Sequence, residues 1–413
     1  MDLQTAHSQA VPQTELLSAR LSAVMPSATI AITRAANELR RRGRDIIGLS
    51  QGEPDFDTPD HVKQAAKNAI DHGATKYTDV DGTPELKAAI VSKFFRENGL
   101  TYAADQISVG TGGKQVIFNA LFATLSEGDE VIIPAPYWVS YPDMVRLAGG
   151  TPITVTCGED KGFKLTGAAL RAAISPRTKW LILNSPSNPT GSGYSPIDLR
   201  VIADVLLDHP HVLVLTDDMY EHIRYDGWQF ATIAQIEPRL MDRVLTCNGV
   251  SKAYAMTGWR IGYAGGPASL IKAMATIQSQ STTNPSSISQ AAAVAALNGP
   301  LDFMSERNRI FSERRDLCLA AFNSIDGLSC RSPEGAFYLF PSCEGVLGRK
   351  TTDGKVINND LDFANFLLEA ANVAVVPGSA FGLAPFFRIS FATSTEKLRT
   401  ACKRIDQACS TLR

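Results

Sequence analysis

The chain carries no pair of cysteines at C-x-x-C spacing. Its seven cysteines, Cys157, Cys247, Cys318, Cys330, Cys343, Cys402 and Cys409, are scattered and odd in number. Zinc-ribbon and dithiol redox motifs are thereby excluded, and no metal site is expected. Free thiols fit a reducing compartment. No apolar run approaches the roughly 20 residues needed to span a bilayer. The polar stretch from Met1 to Val11 has no apolar signal core. A soluble, cytoplasmic protein without a membrane partner is expected. Charge of one sign is also missing: the net charge is −2, which gives no reason to expect a nucleic-acid partner. The one basic cluster, RRRGR at Arg40 to Arg44, precedes an apolar stretch and reads as a solvated helix end. There are no internal repeats. Gly110, Gly112 and Gly113 have the wrong spacing for a dinucleotide fingerprint, and the segment is not a P-loop.

What is present suits a packed α/β protein. Hydrophobic residues make up 44% of the 413 positions and charged residues 20%, enough for two or three domains at about 150 residues each. The first 20 or so residues read as a loose leader. A helix is expected over Ser27–Arg41, a short strand over Asp45–Leu49, an irregular loop over Gly52–Pro59, and a helix over His61–Asp71. Short apolar runs then recur at Gln106–Val109, Glu130–Ile133, Lys179–Leu183, Val212–Thr216, Arg243–Cys247 and Arg260–Ala264. Helical patterns such as Lys114–Leu125 and Pro196–Asp208 lie between them. Such alternation indicates a mainly parallel sheet covered on both faces. After Asn298 a long charged helix (Leu301 to about Ser324) leads to short strands at Phe337–Phe340, Val373–Val376 and Phe387–Phe391, with helices at Leu361–Ala370 and Thr395–Ala408. The fold class is therefore α/β, a large domain with a mainly parallel sheet plus a smaller α+β domain. The expected division is 1–61 completing the small domain, 62–310 as the large domain and 311–413 as the small one.

Six segments carry candidate chemistry. In NGVSKAYAMTGWRIG (Asn248 to Gly262), Lys252 follows a strand among small residues. Burial or a nearby cation would free its amine to act as a nucleophile. Arg260, eight residues on, suits a phosphate dianion. VGTGGKQ (Val109 to Gln115) runs from strand to glycines to helix, offering bare N–H groups to an anion. VLTDDMYEH (Val214 to His222) sets Asp217 at the carboxyl end of a strand, where open α/β sheets bind ligands. There Asp217 suits the proton of a pyridine nitrogen, with Tyr220 nearby; a helix N-cap is the plainer reading of either aspartate. NSPSNPTG (Asn184 to Gly191) presents Asn188. APYWVSYP (Ala135 to Pro142) presents Trp138, a stacking aromatic or a core residue. PFFRISFA (Pro385 to Ala392) buries Arg388 among apolar residues, where it calls for a carboxylate, from substrate or protein.

Taken together with GEPDFDTP, PEGAFY and VVPGSAFG, these motifs resemble the fold-type I pyridoxal-phosphate enzymes over nearly the whole chain. The resemblance is to the class I aminotransferases, and within them to bacterial aspartate aminotransferases of the thermophile and rhizobial branch. It implies pyridoxal 5'-phosphate held as a Schiff base by Lys252, with Asp217 at the ring nitrogen and Tyr220 and Asn188 at the phenolic oxygen. It places Trp138 on the ring and Gly112, Gly113, Lys114, Ser251 and Arg260 around the phosphate. Tyr77 matches a tyrosine that reaches the phosphate of a neighbouring subunit, implying a homodimer with shared sites. Arg388 matches the partner of the substrate α-carboxylate, with Gly52, Trp138 and Asn188 also touching substrate. The implied reaction is ping-pong transfer of an amino group from an L-amino acid, aspartate first, to a 2-oxo acid such as 2-oxoglutarate.

One position departs from the pattern. Several relatives carry a lysine before PSAT that recognises a distal carboxylate, and here that residue is Met25, whose thioether cannot pair with one. Lys114, Ser27 and Thr29 remain as distal contacts. Neutral or aromatic amino donors, and a β-lyase reaction on the same cofactor, are the alternatives.

Overall fold

The structure, a computed structural model, describes residues 18–24 and 28–413. Twelve strands are labelled in chain order among them: β1 Ile47–Gly48, β2 Ile107–Gly110, β3 Glu130–Ala135, β4 Thr151–Thr156, β5 Thr178–Asn184, β6 Leu213–Asp217, β7 Val244–Gly249, β8 Gly262–Gly265, β9 Tyr338–Leu339, β10 Val373–Ala374, β11 Val376–Pro377 and β12 Phe387–Ser390.

Seven strands form one sheet in the order β2-β8-β7-β6-β5-β3-β4. All neighbours are parallel except β8, which runs antiparallel to both β2 and β7. The inner strands are near-continuous apolar runs because helices cover both faces. Val109, Ile132, Leu181 and Val214 point into one core, and Val131, Ile133, Ile182 and Leu215 into the other. The helices begin where the sequence supplies caps. Ser195 forms a capping box with Asp198 ahead of Pro196–Leu207. Thr83 caps Pro84–Asn98, and Gly99 closes that helix in the left-handed conformation.

A third core gathers β9, β12, the helices Asp302–Ser324, Asp360–Ala370 and Thr395–Cys409, and Ile47 of β1. It holds a three-stranded antiparallel sheet, β11-β12-β9, and the parallel pair β1-β10. The Asp302–Ser324 helix serves two of these cores: Met304 packs into the one that holds Val109 and Leu181, and Phe311 into the third.

Four expectations need correction. Strand β4 was not anticipated, because TPITVT lies at the sheet edge with little buried surface and no apolar run. The strand expected at Arg260–Ala264 starts at Gly262, since Arg260 adopts the left-handed conformation with φ 55°. The single strand expected over Val373–Val376 is two, pairing with different partners. The basic cluster is not simply a solvated helix end. Arg44 clasps Asn372 Oδ1 (2.6 and 2.9 Å) and the Glu369 carbonyl (2.7 Å), and Arg40 donates to the Ile46 carbonyl (2.9 Å). All seven cysteines are free and buried. No helix among the described residues is long and apolar enough to cross a membrane.

Candidate active site

Strand register brings the polar residues to one edge. Asn184, the last residue of β5, pairs with Asp217, the last of β6, and Asp217 pairs with Cys247 of β7. Gly262 lies opposite both Gly249 and Gly110. The loops leaving these strands and the β9–β12 layer enclose a cleft of about 310 Å³. Every predicted site residue lines it except Gly112 and Tyr77. Gly112 sits just behind the lining: a Cβ there would lie 2.2 Å from Arg260 Nη2. Its φ of 84° and that proximity both require glycine. Gly262 is equally constrained, a Cβ falling 2.1 Å from the Gly113 nitrogen. These bare positions let Arg260 fold against the first turn of the Gly113–Thr124 helix, whose first residues, Gly113 and Lys114, line the cleft. Tyr77 is 89% exposed and lies away from this cleft. Met25 and Ser27 lie outside the described residues, as does the side chain of Thr29.

Asp217 is buried. Its Oδ2 accepts from the Tyr141 hydroxyl at 2.6 Å, while its Oδ1 has no partner among the described residues. Burial pushes this carboxyl above its ordinary range, against the Tyr141 hydrogen bond. Its backbone carbonyl accepts from Asn184 Nδ2 at 2.7 Å, and Asn184 Oδ1 accepts from the Asn188 nitrogen at 2.8 Å. Asn188 Oδ1 in turn accepts from Arg388 Nη1 at 2.7 Å, and the Ser50 carbonyl accepts from Nη2 at 2.5 Å. Arg388 Nε is buried and has no partner among the described residues. The guanidinium lies 4.7 Å from the Tyr338 ring and 4.9 Å from Phe381. Asp218, next to Asp217, is turned into the protein interior, where Thr216 Oγ1 donates to it at 3.3 Å.

Lys252 Nζ donates to the Gly52 carbonyl at 2.7 Å and stands 6.0 Å from the Tyr220 ring. Burial, and next the Arg260 charge, lower its pKa to about 8. Lys114 Nζ rests 4.8 Å from the Trp138 ring, and burial followed by Arg260 lowers its pKa as well. The cleft therefore concentrates Lys114, Lys252, Arg260 and Arg388. Among the described residues none of these four is in an ion pair; their contacts are carbonyls, an asparagine and aromatic faces. A cleft so built is ready for a ligand with several negative charges.

Three contributors carry no signal of their own in the sequence: Tyr141 lies in APYWVSYP, Asn184 in NSPSNPTG and Tyr338 in PEGAFY. Nothing in one dimension separates them from their neighbours; contact with Asp217 and Arg388 is what marks them.

The profile for aminotransferase class I and II matches residues 44–405. An aspartate aminotransferase of Rhizobium meliloti is 60% identical over 395 residues, covering 96% of each chain. An aspartate/prephenate aminotransferase of Cereibacter sphaeroides is 60% identical over 396 residues, covering 96% of this chain and 99% of its own. The crystal structure of the Rhizobium meliloti aspartate aminotransferase superposes with a TM-score of 0.94 at 60% identity, over 96% of this chain and 99% of that one. The Thermus thermophilus aspartate aminotransferase with maleate superposes with a TM-score of 0.89 at 44% identity, over 95% and 99%. The chain belongs to the class I and II aminotransferases, in the α/β architecture those solved structures share. It is a transaminase of the branch in which the rhizobial and Thermus enzymes fall.

Proposed function

We propose that the protein moves the amino group of an L-amino acid, aspartate first, to a 2-oxo acid, 2-oxoglutarate first, with pyridoxal 5'-phosphate as cofactor. The observation that carries this is the convergence of Lys252, the unpartnered Asp217 Oδ1 and Arg388 on one cleft. The residues fit the cofactor. The buried Oδ1 calls for a proton donor such as a ring N–H, and the bare Gly112–Gly113 turn beside Arg260 suits a phosphate. When bound, pyridoxal phosphate withdraws electrons from the α-carbon of an attached amino acid.

The chain's own groups do the rest. Asp217 would hold a proton at the ring nitrogen through Oδ1. Trp138 would stack on the ring, and Tyr220 and Asn188 would hydrogen-bond the phenolic oxygen. Gly112, Gly113, Ser251, Lys114 and Arg260 would hold the phosphate. Lys252 would hold the cofactor, and its amine when free, lowered to a pKa of about 8, would take up and return a proton at Nζ close to neutral pH. Arg388 orients the α-carboxylate together with Asn188 and Gly52. Lys114 offers its ammonium to a distal carboxylate. That the Thermus relative was crystallised with maleate, a dicarboxylate, supports this reading.

We further propose a homodimer in which the exposed Tyr77 of one copy completes the cofactor site of the other. The division into 1–61, 62–310 and 311–413 and a cytoplasmic location belong to the same reading. A panel of amino donors against 2-oxoglutarate tests it, run on the wild type and on Met25→Lys. Aspartate is expected to give the highest kcat/KM, and Met25→Lys to widen its lead over neutral donors. A preference for leucine or phenylalanine over aspartate, or steady release of ammonia from the donor alone, would overturn the substrate or the reaction respectively.

A further inference from the structure

Tyr338 lines the cleft but takes no part in the roles above. It is 1% exposed, on β9, and its neighbour Leu339 pairs with Ile389 next to Arg388 on β12. Three contacts converge on it. Its hydroxyl is 2.8 Å from the Tyr220 hydroxyl. Its ring lies 4.7 Å from the Arg388 guanidinium. Its hydroxyl also fills the space that a side chain on residue 52 would need, since a Cβ on Gly52 would fall 2.2 Å from Tyr338 Oη. The Gly52 carbonyl is the acceptor for Lys252 Nζ. One buried phenol thus touches Tyr220, Arg388 and the residue whose carbonyl receives Lys252.

A phenol has one proton to donate. Between two phenols at 2.8 Å only one proton lies on the line joining them, so the donor commits its proton and the acceptor's proton points elsewhere. Tyr220 is the only hydrogen-bond partner of the Tyr338 hydroxyl among the described residues. A hydroxyl this buried loses free energy if its donor is left unpaired. Tyr220 has a second direction available to it, into the cleft. We infer that Tyr338 is a positioning residue: its hydroxyl donates to Tyr220 and so aims the Tyr220 proton into the cleft, while its ring holds the Arg388 guanidinium in place for a carboxylate. The inference rests on the proposed reading of Tyr220 as donor to the cofactor's phenolic oxygen.

The hydroxyl and the ring are separable. Tyr338→Phe removes only the first, and Tyr338→Met removes the aromatic face at similar volume. In the holoenzyme, the pH midpoint of the cofactor's absorption change is expected to rise by about 0.5–1 unit in Tyr338→Phe. A weaker donor at Tyr220 leaves more charge on the phenolic oxygen, which holds the proton beside it more tightly. Because the effect passes through Tyr220, adding Tyr338→Phe to a Tyr220→Phe enzyme should move the midpoint by less than about 0.2 unit. Maleate, added as a carboxylate probe, should bind Tyr338→Phe within about twofold of wild type and Tyr338→Met about tenfold more weakly. An unmoved midpoint in Tyr338→Phe, or an equal shift with and without the Tyr220 hydroxyl, overturns the hydroxyl role. Wild-type maleate affinity in Tyr338→Met overturns the ring role. If the wild type itself shows no titrating cofactor band, the proposed cofactor reading fails instead, a result distinct from either.

Discussion

Tyr220 and Glu221 are adjacent in the chain, yet they belong to two opposite kinds of polar interior. Glu221 sits in a saturated network. Its carboxylate accepts from the Lys93 ammonium, from Asn98 Nδ2 at 2.7 Å and from Asn248 Nδ2 at 2.7 Å. Lys93 also donates to Asn98 Oδ1 at 2.8 Å, and His222 Nε2 lies 2.8 Å from Glu97. Burial works against the Glu221 charge, but Lys93 and then His222 hold its pKa at about 2. Glu97, Glu221 and His222 place ligand atoms within 4.8 Å of one another, as a metal would need. The Lys93 ammonium already serves as their cation, bonded to Glu221 and 3.7 Å from Glu97.

On the other side of Tyr220 the valences are open. Among the described residues, Asp217 Oδ1 and Arg388 Nε are buried without partners, and the Lys114 ammonium rests on the Trp138 ring with no ion pair. Buried polar groups are nearly always satisfied; of the six buried side-chain atoms without a partner among the described residues, Asp217 Oδ1 and Arg388 Nε are the two whose residues line the cleft, which marks it as the place for a ligand. The two regions share burial and charge and differ in satisfaction. The first ties the Pro84–Asn98 helix to the loop that follows β6 and to Asn248 of β7. The second uses the positions so fixed.

Three substitutions and two pH titrations can break that contrast. The largest effect is expected from Lys252→Ala, which should lower turnover by 10³-fold or more, about 4 kcal/mol in the barrier, and abolish the cofactor's lysine-linked absorption band. Full turnover with that band intact would remove Lys252 from the chemistry. Next, Lys93→Met leaves a buried carboxylate uncompensated and should cost about 3–5 kcal/mol of stability. Arg388→Met leaves no opposite charge behind and should cost about 1–2 kcal/mol while losing carboxylate binding. Chemical denaturation of both apoproteins checks this, and equal losses would erase the distinction between the regions. The sign with pH follows. Glu221 titrates lower in the folded chain than its ordinary 4.5, so its stabilisation is present above 4.5 and is lost as pH falls toward about 2. Lys93→Met should flatten that acid dependence.

The smallest effect is a shift in a pH profile. Only an unprotonated amine attacks an aldehyde, so capture of pyridoxal phosphate by the apoprotein should accelerate as pH rises, with a midpoint near 8 set by Lys252. A midpoint near 10 would show that the amine is neither buried nor crowded by Arg260.

Much of this was legible in one dimension. The inner strands stood out because buried parallel strands are unbroken apolar runs, and β4 did not because an exposed edge needs no such run. Of the cleft, Lys252, Asp217, Asn188, Arg260 and Arg388 were readable because each lies in a motif at the end of a strand or within one. The saturated network was not, since Lys93, Glu97 and Asn98 are ordinary residues of an amphipathic helix until Glu221 meets them 123 to 128 positions later.

The sequence by itself determined the family, the sheet and the inventory of reactive side chains, because those depend on residue type and local spacing. Only the tertiary structure decided which buried charges are closed off and which stay open, and that a tyrosine of β9 stands against Tyr220 and Arg388. Satisfaction of a hydrogen bond is a property of two groups brought together across the fold, and neither one's local sequence contains the other.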